Sequence, residues 1–164
     1  MSPSRRHFIA GAGAGLLTSA CSTPELTVND ISQLERTQVA SVTSVATTEN
    51  VVEALSEHRG WISVAGGRFS MGGQTSADQA VQIDTDALNQ VLWLDVERKV
   101  VRVQAGLRWR SLQEYLDPHD LSVKVMQSFS NCSVGGSVSV NCHGRYVGAG
   151  SIASSVRAIQ LVLS

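Results

Sequence analysis

Two glycine-rich segments constrain this chain more than any other feature of its sequence. The first, AGGRFSMGGQ, spans residues 65–74, and the second begins at Ser133 with SVGGSVSVNCHG. Glycine lets a backbone N–H group approach a ligand without a Cβ in the way, and it permits positive φ. Because successive N–H groups can form a concave anion site, two such segments after extended stretches favour a ligand with at least two phosphates. The alternative is that both segments are ordinary turns.

Neither segment has a standard nucleotide-binding signature. The phosphate-binding pattern GxxxxGK[ST] does not occur in the sequence. The stretch GAGAGL at residues 11–16 is spaced like a dinucleotide-binding fingerprint, but no strand precedes it and it lies in an apolar run near the N-terminus. The two glycine segments therefore need another explanation.

Local patterns predict a mixture of helices and strands. TTENVVEALSEHRG is typical of a helix that Thr47 or Thr48 caps and that Gly60 ends at its C′ position. The apolar stripe of this helix is predicted to comprise Val51, Val52, Ala54 and Leu55. RWRSLQEYLDPHD predicts a second, short helix that Pro118 stops.

Extended segments surround these helices. Strands are predicted in WISVA, twice in AVQIDTDALNQVLWLD, in KVVRVQA and in SSVRAIQLVLS, with a short extended piece in LSVKVM. Strands and helices do not alternate strictly, so the predicted fold class is α+β. The tryptophans Trp61, Trp93 and Trp109 are predicted to anchor the core rather than to contact a ligand.

The N-terminus has the pattern of an export signal. Arg5 and Arg6 precede a short apolar run, Phe8–Ala20, that is too short to span a bilayer. The paired arginines resemble a twin-arginine signal over residues 1–21, which predicts export to the periplasm; the alternative is a disordered basic tail. A lipid anchor on Cys21 stays open, because Leu17 lies one place too early for a lipobox. Residues 22–40 are predicted to be a linker or a short lead-in helix.

Charge and cysteines exclude some classes of function. The net charge is −1 with no basic stripe, so nothing favours a nucleic-acid partner. No CxxC pair or His/Cys cluster predicts a metal site. In an oxidising compartment Cys132 and Cys142 could form a disulfide, or they could be two small buried thiols.

Four stretches together resemble a known family. They are VAGGRFSMGGQ, VVRVQAGLRWRSLQEYL, SVGGSVSVNCHGR and GSIASSVRAIQLVLS, in this order. The chain from about residue 41 to residue 164 resembles the FAD-binding PCMH-type domain of the vanillyl-alcohol oxidase flavoprotein superfamily. The resemblance is strongest to its sugar-type members, the aldonolactone, alditol and decaprenylphosphoryl-ribose oxidases. It implies FAD as the cofactor and an α+β FAD-binding domain that is incomplete at its C-terminus.

The resemblance also implies roles for matched residues. The first segment would wrap the FAD pyrophosphate with Gly66, Gly67, Arg68, Phe69 and Ser70, and Gly72, Gly73 and Gln74 would lie beside it. The backbone at Ala105 and Gly106 would let the cofactor pass closely. The second segment would line the region between the diphosphate and the isoalloxazine with Gly135, Gly136, Ser139, Asn141, His143 and Gly144. For His143, a purely structural role in fixing the loop is the alternative.

Two departures from the family bear on how the flavin is held. Many members attach the flavin covalently to a histidine in the first segment, where this chain has Phe69. Members with a second covalent bond use a cysteine upstream of the second glycine pair, and Cys132 is too close to Gly135 for that pattern. The predicted FAD is therefore non-covalent.

The resemblance implies an exported FAD-dependent oxidoreductase. Its substrate would be an alcohol or sugar-type C–OH, and its electron acceptor would be oxygen or another, unassigned partner. No catalytic residue is assigned, because the base and most of the substrate pocket are expected beyond Ser164, in a longer protein of which this chain is the inactive front part. The alternatives are an exported binding or interaction module, and a family member that binds FAD without turnover.

Overall fold

The computed structural model of the protein describes residues 26–163. The predicted export signal and Cys21 lie outside the described residues. The helices and strands follow in the order β1 (Thr27–Val28), β2 (Thr37–Gln38), β3 (Ser41–Ser44), α1 (Thr48–Glu57), β4 (Ile62–Ala65), β5 (Val81–Asp84), β6 (Val91–Asp95), β7 (Val100–Val103), α2 (Trp109–Leu116) and α3 (Val134–Ser139). Two 3-10 helices span Asp117–His119 and Ile152–Ser155. The predicted α+β class is confirmed, and no helix within residues 26–163 is long and apolar enough to cross a bilayer.

A small parallel sheet carries the first glycine segment. Its strand order is β3-β5-β4, so β5 is central. Alternate side chains of a strand point to opposite faces. Ile83 of β5 packs with Val45 in a small core against α1. Gln82 lies on the opposite face, is fully buried, and donates from Nε2 to the Thr75 carbonyl at 2.9 Å, which ties the end of the glycine segment to the sheet.

The larger core lies around α2 and the antiparallel pair β6–β7. Trp109 is at its centre, 4% exposed, with Val91, Leu94 and Val103 of the strand pair packed around the same core. The Trp109 indole N–H donates to Ser137 Oγ at 2.8 Å. This buried bond fixes α3 against α2. Trp109 is thus the predicted core anchor, whereas the prediction was wrong for Trp61 and Trp93, which are 80% and 47% exposed.

Helix α1 begins as predicted and ends earlier. Thr47 accepts a hydrogen bond from the Asn50 N–H and caps the helix. The last helical residue is Glu57, because His58 has an extended backbone with φ −105°. The predicted capping role of Gly60 is therefore wrong. Val52 was also predicted to be buried and is 49% exposed, since only the other three members of the apolar stripe turn towards the small core.

Three other segments differ from the sequence-based expectation. Strands β1 and β2 pair antiparallel within residues 26–40, where a linker or lead-in helix was predicted. The second glycine segment begins as the short helix α3 rather than as a loop, because its glycines let the helix pack directly on neighbouring backbone. Residues 156–163 form no strand, since none of the described strands pairs with them through backbone hydrogen bonds; the Arg102 side chain of β7 donates to Gln160 Oε1. The piece LSVKVM is likewise irregular.

Candidate cofactor site

The segment between β1 and β2 is hydrogen-bonded to the first glycine segment at two points. The Ile31 N–H donates to the Arg68 carbonyl at 2.9 Å. The Gly72 N–H donates to Asp30 Oδ2 at 2.9 Å, and Ser32 donates to the other carboxylate oxygen. Asp30 is only 3% exposed. The N–H of Gly72, one of the residues predicted to lie beside the pyrophosphate, therefore already donates to a carboxylate of the protein.

We expect Asp30→Asn to lower Tm at neutral pH, because the amide offers one acceptor oxygen where the carboxylate offers two. Hydrogen bonds from Ser32 and then Gly72 hold the pKa of Asp30 below its ordinary value of 3.8. A lowered folded pKa stabilises the fold above the unfolded pKa, and that stabilisation is lost as the pH falls through the folded pKa. The Tm difference between wild type and variant should therefore be largest at neutral pH and shrink below pH 3.8.

Thermal melts followed by circular dichroism across this pH range measure that difference. Asp78→Asn is the matched control, because Asp78 is exposed and its carboxylate accepts no hydrogen bond within residues 26–163. A Tm difference for Asp30→Asn that stays constant with pH would contradict the proposed role of the charge.

The middle of the first segment presents amides without a protein acceptor. Within the described chain, no group accepts a hydrogen bond from the N–H groups of Arg68, Phe69 and Ser70. Arg68 has φ +58°, which turns the backbone at this point. The Gly67 N–H points to the hydroxyl of Ser133 at 3.4 Å. The loop thus offers a run of free donors next to the start of the second glycine segment.

The two glycine segments meet at Gly66 and Ser133. A Cβ on Gly66 would lie 2.4 Å from Ser133 Oγ, so the bare Cα allows the hydroxyl to approach. Ser133 is 3% exposed, and it immediately precedes α3. The convergence of the two segments on one place, which the sequence predicted, is therefore present in the fold.

A turn after β7 holds the second segment in position. The Gly135 N–H donates to the Ala105 carbonyl at 2.7 Å, and the Val134 N–H donates to the Leu107 carbonyl at 2.8 Å. A Cβ on Gly106 would lie 1.9 Å from the Thr85 carbonyl oxygen. Protein packing alone thus accounts for the glycine at 106, and its approach to the cofactor stays a prediction.

Two arginine–aspartate pairs flank this junction. Arg68 pairs with Asp84 at 3.0 Å, and Arg108 pairs with Asp86 at 2.7 Å. Sequence reasoning did not single out Arg108, Ser133 or the two aspartates. The position of Asp84 at the end of a buried strand was a signal, because a largely buried carboxylate needs a cationic partner.

The side chain of Phe69 is held by an aromatic neighbour. Its ring meets that of Phe129 edge to face, with centroids 4.9 Å apart. Such a pair fixes the loop residue that stands where many family members have a histidine. A phenyl ring has no atom that could bond to a flavin, so this geometry supports a non-covalent cofactor.

Residues 139–144 of the second segment make their contacts away from the junction of Gly66 with Ser133. Ser139 Oγ donates to the Gly135 carbonyl at 2.9 Å, and Asn141 Oδ1 accepts from the Ala153 N–H at 3.3 Å. His143 is exposed and contacts the Gly144 carbonyl through Nδ1. A Cβ on Gly144 would lie 2.4 Å from the Met126 carbonyl oxygen. The structure brings Gly66, Gly67, Gly135 and Gly136 to one junction, and Asn141, His143 and Gly144 to a neighbouring surface.

Both cysteines of the described chain carry free thiols. Burial raises the pKa of the Cys132 thiol, with a smaller contribution from Cys142, and burial also raises the pKa of Cys142. A raised pKa keeps a thiol protonated and unreactive. The structure therefore has two small buried or half-buried thiols rather than a disulfide. Residues 26–163 also contain no cluster of three potential metal ligands.

The donor set at the junction fits a diphosphate. It comprises the Ser133 hydroxyl and the Arg108 guanidinium, which both lie against Gly67, and the three free amides of residues 68–70 that follow in the chain. Hydroxyl, amide and guanidinium groups are the usual donors to phosphate oxygens. The side towards Gly72 is closed to a second anion because Asp30 is already there.

The family model described as FAD binding domain matches residues 36–164, and the chain belongs to this family. FAD is therefore the cofactor of the domain, as the resemblance implied.

Particular relatives are oxidases. The chain is 32% identical over 130 residues to decaprenylphosphoryl-beta-D-ribose oxidase of Mycolicibacterium smegmatis, a match that covers 76% of this chain and 28% of that protein. It is 29% identical over 120 residues to L-gulonolactone oxidase of Mus musculus, covering 73% and 27%. Cholesterol oxidase from B. sterolicum shares the fold with a TM-score of 0.60 at 22% identity, covering 73% of this chain and 24% of that one. The chain thus spans about a quarter of the length of the relatives it matches.

Proposed function

We propose that the protein is an FAD-dependent oxidoreductase that oxidises an alcohol or sugar-type C–OH. The observation that carries this proposal is the junction at which Gly66 and Gly67 contact Ser133, directly before the free amides of residues 68–70. The names of the similar oxidases, which refer to a ribose derivative and a sugar lactone, support the substrate class.

The described residues bind and orient the cofactor. Bound FAD supplies the hydride acceptor for the substrate carbon. The free amides of residues 68–70 and the Ser133 hydroxyl would hold the diphosphate, and the Phe69–Phe129 ring pair fixes the loop that carries these amides. The base that takes the hydroxyl proton is assigned to none of residues 26–163. Oxygen or a further redox partner would accept the electrons in the second half of the reaction.

Purification of the protein at its natural full length tests the proposal. The expected result is a yellow protein whose FAD is released to the supernatant on acid precipitation, because the flavin is non-covalent. Anaerobic addition of polyols, aldonolactones and sugars should then bleach the flavin with at least one of these classes.

Each alternative predicts a different outcome of the same experiment. A colourless protein that takes up no added FAD would contradict the proposal and favour a binding or interaction module. A yellow protein that none of these substrates reduces would favour a family member that binds FAD without turnover. Flavin that stays with the precipitated polypeptide would contradict the non-covalent attachment.

Export to the periplasm through the twin-arginine pathway is part of the proposal. It rests on Arg5 and Arg6 ahead of the short apolar run. Replacing both arginines with lysine should leave the protein in the cytoplasm, and unchanged periplasmic yield would overturn this assignment. Labelling with a fatty acid tests the lipid anchor at Cys21, with Cys21→Ser as the control.

A further inference from the structure

Arg108 has no local structural role that explains an arginine at its position. It is the N-cap residue of α2, and its side chain makes no capping hydrogen bond. Ser, Thr, Asp and Asn are the residues that helices favour there, because their short side chains accept from the first free N–H groups. The reason for Arg108 therefore lies in what its guanidinium reaches.

The guanidinium lies directly against the first glycine segment. A Cβ on Gly67 would be 1.9 Å from its Nη1 atom, so only the bare Cα of glycine lets the side chain lie there. Nη1 donates to the Asn131 carbonyl at 3.1 Å, and Nη2 donates to Asp86 Oδ1 at 2.7 Å. A guanidinium has five N–H donors, so donors remain for a further acceptor beside the free amides of residues 68–70.

The partner that Arg108 has in this structure is easily exchanged. The side chains of Arg108 and Asp86 are 29% and 51% exposed, and ion pairs at such exposure contribute little to stability. The diphosphate of FAD carries two negative charges where the carboxylate carries one, and a phosphate accepts two parallel guanidinium bonds. A diphosphate at the junction is therefore the stronger partner.

We infer that Arg108 is a further cofactor-binding residue, which exchanges the Asp86 carboxylate for the FAD diphosphate. Asp86 accepts from the guanidinium at 2.7 Å and would compete with the phosphate for it. This inference rests on the proposed FAD-dependent function. It adds a second guanidinium to that of Arg68 in the first glycine segment, which is paired with Asp84 at 3.0 Å.

Binding of FAD and its fragments to the full-length protein, freed of flavin, tests the inference. Flavin fluorescence quenching gives the Kd of FAD and of riboflavin, and displacement of FAD gives the Kd of ADP. Arg108→Gln is expected to weaken FAD and ADP by about tenfold to hundredfold and to leave riboflavin, which has no diphosphate, unchanged. Added salt should weaken FAD binding to wild type more than to this variant.

Two matched variants separate a charge effect from a structural one. Arg110→Gln removes an exposed arginine two residues away and should leave all three affinities unchanged. Asp86→Asn should bind FAD and ADP as tightly as wild type or more tightly, because it frees the guanidinium and removes a negative charge. Arg108→Lys should fall between wild type and Arg108→Gln, which also covers the case in which the glutamine variant does not fold.

The outcomes separate this inference from the proposed function. Wild type that binds FAD, together with an Arg108→Gln variant that binds FAD and ADP equally well, would overturn the inference alone. The inference would also be overturned if Asp86→Asn weakened FAD binding as much as Arg108→Gln, because the ion pair would then act by stabilising the fold of the site. Wild type that binds neither FAD nor ADP would overturn both.

Discussion

Gly106→Ala is expected to lower the free energy of unfolding by about 3 kcal/mol or more, and to abolish flavin binding. The added Cβ would lie 1.9 Å from the carbonyl oxygen of Thr85 and 2.9 Å from that of Leu88. Both obstacles are backbone atoms, so a side-chain rotation cannot relieve the contact. Thr85 lies between Asp84 and Asp86, so its displacement also moves the partners of both arginines at the junction.

Urea unfolding and the flavin content per polypeptide measure these two effects. Gly60→Ala is the control, since a Cβ there would meet only the end of the His58 side chain, at 2.9 Å, which can rotate away. That control should keep wild-type stability and flavin content. A Gly106→Ala variant with wild-type stability and full flavin content would contradict this prediction, because the Thr85 carbonyl would then leave room for a methyl group.

Gly135→Ala is expected to be destabilising by about 1–3 kcal/mol, although alanine favours a helix over glycine. Its Cβ would lie 2.8 Å from the Ala105 Cβ and 3.0 Å from the Ala105 carbonyl oxygen. The Gly135 N–H donates to this same carbonyl, so the methyl group would push apart the turn and the second glycine segment.

The neighbouring glycine is the matched control for stability. A Cβ on Gly136 would meet only the Ser133 hydroxyl at 3.0 Å, so Gly136→Ala should change the free energy of unfolding little or raise it by up to about 1 kcal/mol. Adding Ala105→Gly to Gly135→Ala removes one of the clashing methyl groups and should restore part of the lost stability. Equal stability of the two single variants in urea unfolding would contradict the packing described for α3.

Local sequence patterns predicted the elements whose causes are local. The Thr47 cap begins α1, the β-branched runs form β4 to β7, and the apolar spacing from Trp109 to Leu116 forms α2. The first glycine segment was also placed correctly after β4. In each of these cases the deciding residues are within one turn or one strand of each other.

The parts that the sequence did not predict depend on distant contacts. Asp30 accepts a hydrogen bond from the Gly72 N–H, which lies 42 residues further along the chain. No local pattern indicated that residues 26–40 would hydrogen-bond to the first glycine segment. Nor did a local pattern indicate that the helix α3, which contains two glycines, would pack on the backbone of Ala105. The ion pair of Arg108 with Asp86 was missed for the same reason.

Hydrogen exchange of the full-length protein, with and without FAD, tests the central claim most directly. The N–H groups of Arg68, Phe69 and Ser70 have no acceptor in the described chain and should exchange fast until FAD binds. The Gly72 N–H, already bonded to Asp30, should change much less. We predict that FAD slows exchange at residues 68–70 and, in the second glycine segment, at Gly136, whose N–H has no acceptor in the described chain, whereas the bonded N–H groups of Val134 and Gly135 should change less. Protection of only one of the two segments, or of neither while FAD is bound, would contradict a shared diphosphate site.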